Sequence, residues 1–137
     1  MNSRTRVLRA LAPLAMAGCA ILAGLASLPA RAAPGSGWGA IASRQGAYGF
    51  SYNQSSRSEA ERAALAQCNR VAGRSGQCEV RAYFDRSCAA LATGNFGEWG
   101  AGVAPTEAGA IKTAIGTCES YLPTEPCKVA VKVCSQG

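Results

Sequence analysis

From Trp38 to Tyr52 aromatic and apolar residues alternate with small or polar ones on both sides of the turn Ser43-Arg-Gln-Gly46. That period of two predicts a β-hairpin, Trp38-Gly-Ala-Ile-Ala42 against Ala47-Tyr-Gly-Phe-Ser-Tyr52. The period then changes. Ala60, Ala64, Cys68 and Val71 recur at i, i+4, i+8 and i+11 with Leu65 beside them, while Arg57, Glu61, Arg62, Gln67 and Arg70 take the other sides. A helix with a narrow small-residue face is therefore expected. Ser56 is its expected N-cap, with Glu59 three residues on completing a capping box; Ser58 with Glu61 is the competing register. Gly73-Arg-Ser-Gly76 ends the helix, and Cys78 to Phe84 alternates again. Cys78, Val80, Ala82 and Phe84 fall on one face of that strand, and Glu79, Arg81, Tyr83 and Asp85 on the other.

The same order of patterns returns about fifty residues later. Ala89-Ala-Leu-Ala92, the turn Thr93-Gly-Asn-Phe-Gly97 and Glu98 to Val103 form a second hairpin. Thr106 stands for Ser56, and Ala110, Ala114, Ile115 and Cys118 repeat Ala60, Ala64, Leu65 and Cys68 at an offset of fifty. Gly109 and Gly116 each weaken this helix by about 1 kcal/mol relative to Ala, so it depends on packing and its disulfide. Pro123 and Pro126 break the chain before a last strand, Cys127-Lys-Val-Ala-Val-Lys-Val133. Two copies exclude a solenoid, which needs three or more. The expected fold is α+β, a ββαβ unit given twice (about 37–88 and 89–137), with antiparallel sheet and the two helices packed on one side of it.

Seven cysteines change the picture, because six of them recur with the repeat. The start of the chain fixes their redox setting: Arg4, Arg6 and Arg9 precede an apolar run from Ala10 to Leu28, then Pro29 and Ala30-Arg31-Ala32. A basic head, an apolar middle and small residues are what an export peptidase reads, so residues 1–32 are expected to be a signal peptide and the mature protein periplasmic or secreted. Pro13, Pro29 and the cleavage site argue against a retained membrane anchor. Met16-Ala-Gly-Cys19 also resembles a lipoprotein box, but the chain stays apolar after Cys19 where a lipoprotein turns polar.

In an exported chain of this size six cysteines read as a disulfide framework. Strand parity selects among the connectivities. Cys78 and Cys127 share a face with the apolar residues of their strands, and Cys68 and Cys118 lie on the buried helix faces, so Cys68 pairs with Cys78 and Cys118 with Cys127. Cys134 is left with Cys88, a bond expected to tie the first copy to the second.

Composition narrows the chemistry. The chain of 137 residues has fourteen basic and eight acidic residues, but four arginines leave with the signal, so the mature net charge is only +2 and a nucleic-acid partner loses its support. Histidine is absent, which removes the commonest general base and every Ser-His, Cys-His or histidine-metal site; no Cys-x-x-Cys pair invites zinc. No catalytic residue, metal or cofactor is expected. The alternative to a non-enzyme is a small cell-wall hydrolase using Glu98, beside Trp99, and Asp85 as its carboxylates. Arg81, Tyr83, Lys128 and Lys132 are the candidate binding residues, since parity sends all four away from a helix-covered core, and cations beside an aromatic suit recognition of an acidic or carbohydrate partner.

Trp38-Gly-Ala-Ile-Ala42, Gly46-x-Tyr-Gly-x-Ser-Tyr52, Glu59-Ala-x-x-Ala-Ala-Leu-x-x-Cys68, Ser87-Cys-Ala-Ala-Leu-Ala92, Trp99-Gly100 and Val133-Cys-Ser135 together resemble the bacterial DUF4189 family, a domain of unknown function, over nearly all of the mature chain. The resemblance implies a secreted or periplasmic, non-enzymatic domain without catalytic residues to carry over. It also implies a role in binding another protein, as periplasmic immunity proteins do when they neutralise an antibacterial effector.

Overall fold

The computed structural model describes residues 36–73 and 77–136; the expected signal peptide with its cleavage site, and Cys19, lie outside them. The chain runs β1 (Trp38–Arg44), β2 (Ala47–Gln54), α1 (Arg57–Ala72), β3 (Glu79–Asp85), β4 (Cys88–Thr93), β5 (Trp99–Ala104), α2 (Glu107–Glu119) and β6 (Lys128–Cys134). This is ββαβ twice, an α+β fold. Both helices start where the caps stand: Ser56 accepts from the Glu59 N–H and Thr106 from the Gly109 N–H, each at 3.2 Å. The Glu59 carboxylate takes the Ser55 hydroxyl, so the reciprocal half of the capping box goes to a side chain.

The strands form two three-stranded antiparallel sheets, ordered β2-β1-β3 and β5-β4-β6. Helix α1 packs only on the first sheet and α2 only on the second, and the sheets face each other. Ala40, Ala42, Ala60, Ala64 and Cys68 fill one helix-to-sheet layer and Ala90, Ala92, Ala110, Ala114 and Cys118 the other. Ile41, Phe84, Ala89, Leu91, Val131 and Val133 fill the layer between the sheets. The helices thus lie on opposite outer faces and not on one side of a single sheet. Each unit has a second apolar face that its own helix cannot reach, and the two units cover those faces with each other.

Two β-bulges explain why parity missed this. In the β1–β3 ladder Ile41 pairs with Ala82 and Ala42 with Val80, which leaves Arg81 as an extra residue; in the β4–β6 ladder Leu91 pairs with Val131 and Ala92 with Val129, which leaves Ala130. An extra residue shifts the alternation beyond it. Cys78 and Cys127 therefore stay under the helices, while Phe84, Val131 and Val133 turn to the opposite sheet.

The helices sit very low. A Cβ on Gly49 would collide with the α1 backbone at Ala64 and Cys68, and one on Gly100 with the α2 backbone at Ala114 and Cys118. Small residues facing glycines are what bring each helix down onto β2 or β5.

All three expected disulfides are present, Cys68–Cys78, Cys118–Cys127 and Cys88–Cys134. The third does not join the copies. Cys88 opens β4, so the bond closes β4 onto β6 within the second unit. Among the described residues no helix is long and apolar enough to cross a membrane.

Candidate functional site

The twofold relation between the units brings the β1–β2 turn and the β4–β5 turn to the same end of the sandwich, and a cleft of about 560 Å³ opens between them. Equivalent residues line its two sides: Ser43 and Thr93 close the first strands, Tyr48 and Trp99 precede the two packing glycines, and the bulge residues Arg81 and Ala130 reach in from β3 and β6. Gly46 at φ 80° and Gly97 at φ 89° supply the left-handed turns that hold the rims, a conformation open to glycine without strain.

The symmetry is broken at the bulges. Arg81 crosses from the first sheet to lie over the Trp99 indole of the second, 4.3 Å from its centroid. Its Nε donates to Ser43 Oγ at 3.2 Å and its Nη1 to the Glu79 carboxylate at 2.7 Å. The side chain is 18% exposed. No buried side-chain nitrogen or oxygen among the described residues lacks a partner, so Nη2, which makes no hydrogen bond, keeps some access to solvent. At the equivalent place in the other unit Ala130 leaves Tyr48 uncovered, at 43% exposure. A second depression of about 490 Å³, lined by Tyr48, Phe50, Ile111 and Val129 to Lys132, continues from the cleft there.

The four candidate binding residues do not share a face, because neither sheet has an open one. Arg81 lines the cleft. Tyr83 lies on the helix side of β3 with the Arg57 guanidinium 3.3 Å above its ring. Arg57 is raised above its ordinary pKa, first by its hydrogen bond to Glu61. Lys132 occupies the equivalent place in the second unit and pairs with Glu107 at 2.6 Å. Lys128 is exposed at the start of β6.

Asp85 and Glu98 do not form a pair. Asp85 stands opposite Trp38 and Glu98 borders the cleft beyond Arg44, so the length of β1, roughly 20 Å, separates them. Asp85 pairs with Arg86, and Glu98 accepts the Phe96 N–H of its own turn at 2.8 Å. No group of three or more metal-ligating side chains occurs among the described residues. Sequence reasoning missed Tyr48 and Trp99 as site residues, although the Tyr-Gly and Trp-Gly echo marked both.

A family model for a domain of unknown function, DUF4189, matches residues 38–134. The NMR structure of Rv1813c from Mycobacterium tuberculosis is similar at a TM-score of 0.53 and 26% identity, over 95% of this chain and 99% of that one. No curated protein sequence matches the chain.

Proposed function

The chain belongs to the DUF4189 family, and from that premise we propose that it is an exported, non-enzymatic protein-binding module of the immunity or inhibitor kind, with the cleft between its hairpin turns as the recognition surface. The observation that carries this is Arg81 on Trp99. A guanidinium held by an indole, a hydroxyl and a carboxylate has lost its conformational freedom before any partner arrives, and partly desolvated Arg, Trp and Tyr are the side chains in which binding energy concentrates. Three disulfides fit the oxidising compartment that the reading requires. The separation of Asp85 from Glu98 gives paired-carboxylate hydrolysis no support.

The test is affinity capture from a periplasmic extract with the oxidised domain as bait, followed by titration of the captured protein. Arg81→Ala and Tyr48→Ala should each weaken the complex by about 1 kcal/mol or more, which is about fivefold. A captured partner that binds both variants as tightly as the parent chain would move the recognition surface away from the cleft.

A further inference from the structure

Each sheet has two edge strands, and an unprotected edge is a template for another strand. Three of the four edges carry protection. On β2 the Gln67 side chain accepts the outward Phe50 N–H at 2.8 Å, and Ser135 Oγ accepts the Asn53 N–H at 2.8 Å next to an irregularity in the ladder. On β3 the bulge at Arg81 and the charges of Glu79, Arg81 and Asp85 break the edge, and on β6 the bulge at Ala130 and Lys128 and Lys132 do the same.

β5 has none of these. Its six residues, Trp99-Gly-Ala-Gly-Val-Ala104, are uncharged, and its register with β4 runs without a shift. Ala101 stands opposite Leu91 as Phe50 stands opposite Ile41, so its N–H points outward in the same way. The residue equivalent to Gln67 is Thr117. A Cβ on Gly49 would lie 3.0 Å from the Gln67 Cβ, and one on Gly100 would lie 2.8 Å from the Thr117 Cβ. Threonine is too short to reach the edge, and among the described residues no side chain hydrogen-bonds the β5 backbone.

We infer that the outer edge of β5 is a docking site for an extended segment of a partner protein, which joins the second sheet as a fourth strand. The inference rests on the protein-binding reading and adds the segment's mode of attachment. A second copy of this chain is excluded as the occupant by geometry. Helix α2 stands directly over Gly100 and Gly102, so pairing β5 with itself would set two helices about 5 Å apart, where packed helices need about 8–10 Å. A lone strand brings no helix with it.

The surroundings define the segment. Under the overhang of Thr113 and Thr117 its residues must be small. On the other face, apolar β-branched or aromatic residues meet Trp99 and the half-exposed Val103, the cross-strand partners that stabilise antiparallel pairs. Trp99 both begins β5 and lines the cleft, so an antiparallel segment leaves the edge toward Arg44 and Arg81, which line the same cleft. An acidic residue at that end complements them.

The probe is a phage-displayed library of random twelve-residue peptides, selected on the oxidised chain. Enriched peptides should alternate small with β-branched or aromatic residues, end in an acidic residue, and bind Thr117→Gln at least tenfold more weakly, because glutamine there closes the Ala101 N–H as Gln67 closes that of Phe50. Thr117 is exposed on α2, so this variant should keep the parent's thermal midpoint. Ala101→Pro, which deletes the N–H, should give the same loss. A selection without enrichment, or peptides that bind both variants like the parent, overturns the inference. Peptides that ignore both changes but lose affinity for Arg81→Ala leave the cleft reading standing and remove only the edge.

Discussion

Cys88 and Cys134 face each other across the β4–β6 ladder at the place where the first unit has Trp38 facing Asp85. The bond closes the longest disulfide loop, 46 residues against 10 and 9, so the chain-entropy estimate gives it about 4 kcal/mol and each short bridge about 3. Urea unfolding of Cys88→Ala/Cys134→Ala should therefore show the largest single-bridge loss. A smaller loss than for Cys118→Ala/Cys127→Ala would mean that strain or residual structure, and not loop closure, sets the ranking.

Glycine substitutions in the second unit should act in opposite directions. Gly100→Ala pushes a methyl into the α2 backbone and should cost about 1–3 kcal/mol in chemical denaturation. Gly116 lies within the same helix with open space around it, so Gly116→Ala should stabilise by up to about 1 kcal/mol. Equal effects at the two positions would contradict the close approach of α2 to β5.

Ser135 is buried, accepts the Asn53 N–H and donates to Asn53 Oδ1 at 3.0 Å. Ser135→Ala leaves that N–H without its acceptor and should cost about 1–3 kcal/mol. Amide exchange at Asn53 should speed up well before exchange at Ile41 does.

Glu98→Gln retains a carbonyl that can accept the Phe96 N–H, so the turn should survive with a stability change below about 1 kcal/mol. No activity should change. Loss of a measurable hydrolysis on this substitution would sink the non-enzymatic reading.

Mass spectrometry of the protein recovered from its native host should find a mature N-terminus following Ala32 or Ala33. A chain beginning at a lipid-bearing Cys19 would replace soluble export with membrane attachment.

The helix faces, the caps at Ser56 and Thr106, the hairpins and the Cys68–Cys78 and Cys118–Cys127 bridges were legible because each depends on local spacing that the duplication states twice; Cys88–Cys134, with no counterpart in the first unit, was legible only as the pair left over. The sheet pairing was not. Arg81 and Ala130 are ordinary members of alternating strands until the ladder is seen, and the bulges that they form separate Cys78 from Phe84 and Arg81 from Tyr83. The candidate site was half legible for the same reason: Arg81 was found, but Trp99 meets Arg81, and Tyr48 comes beside Ala130, only through packing between units, which no periodicity within a strand encodes.

The Asn53–Ser135 pair also orders events in time. The two residues are 82 positions apart, and at about 5–20 residues per second a ribosome needs roughly 4–16 s to deliver the second after the first. From the point in that interval at which Asp85 completes β3, the strands β1, β2 and β3 and helix α1 are all made while Ile41 and Phe84 lack their cover, since the sheet that buries them is closed by β6. The emerging first unit therefore exposes apolar surface that only the second unit covers, the kind of surface that makes a partly made chain prone to aggregate.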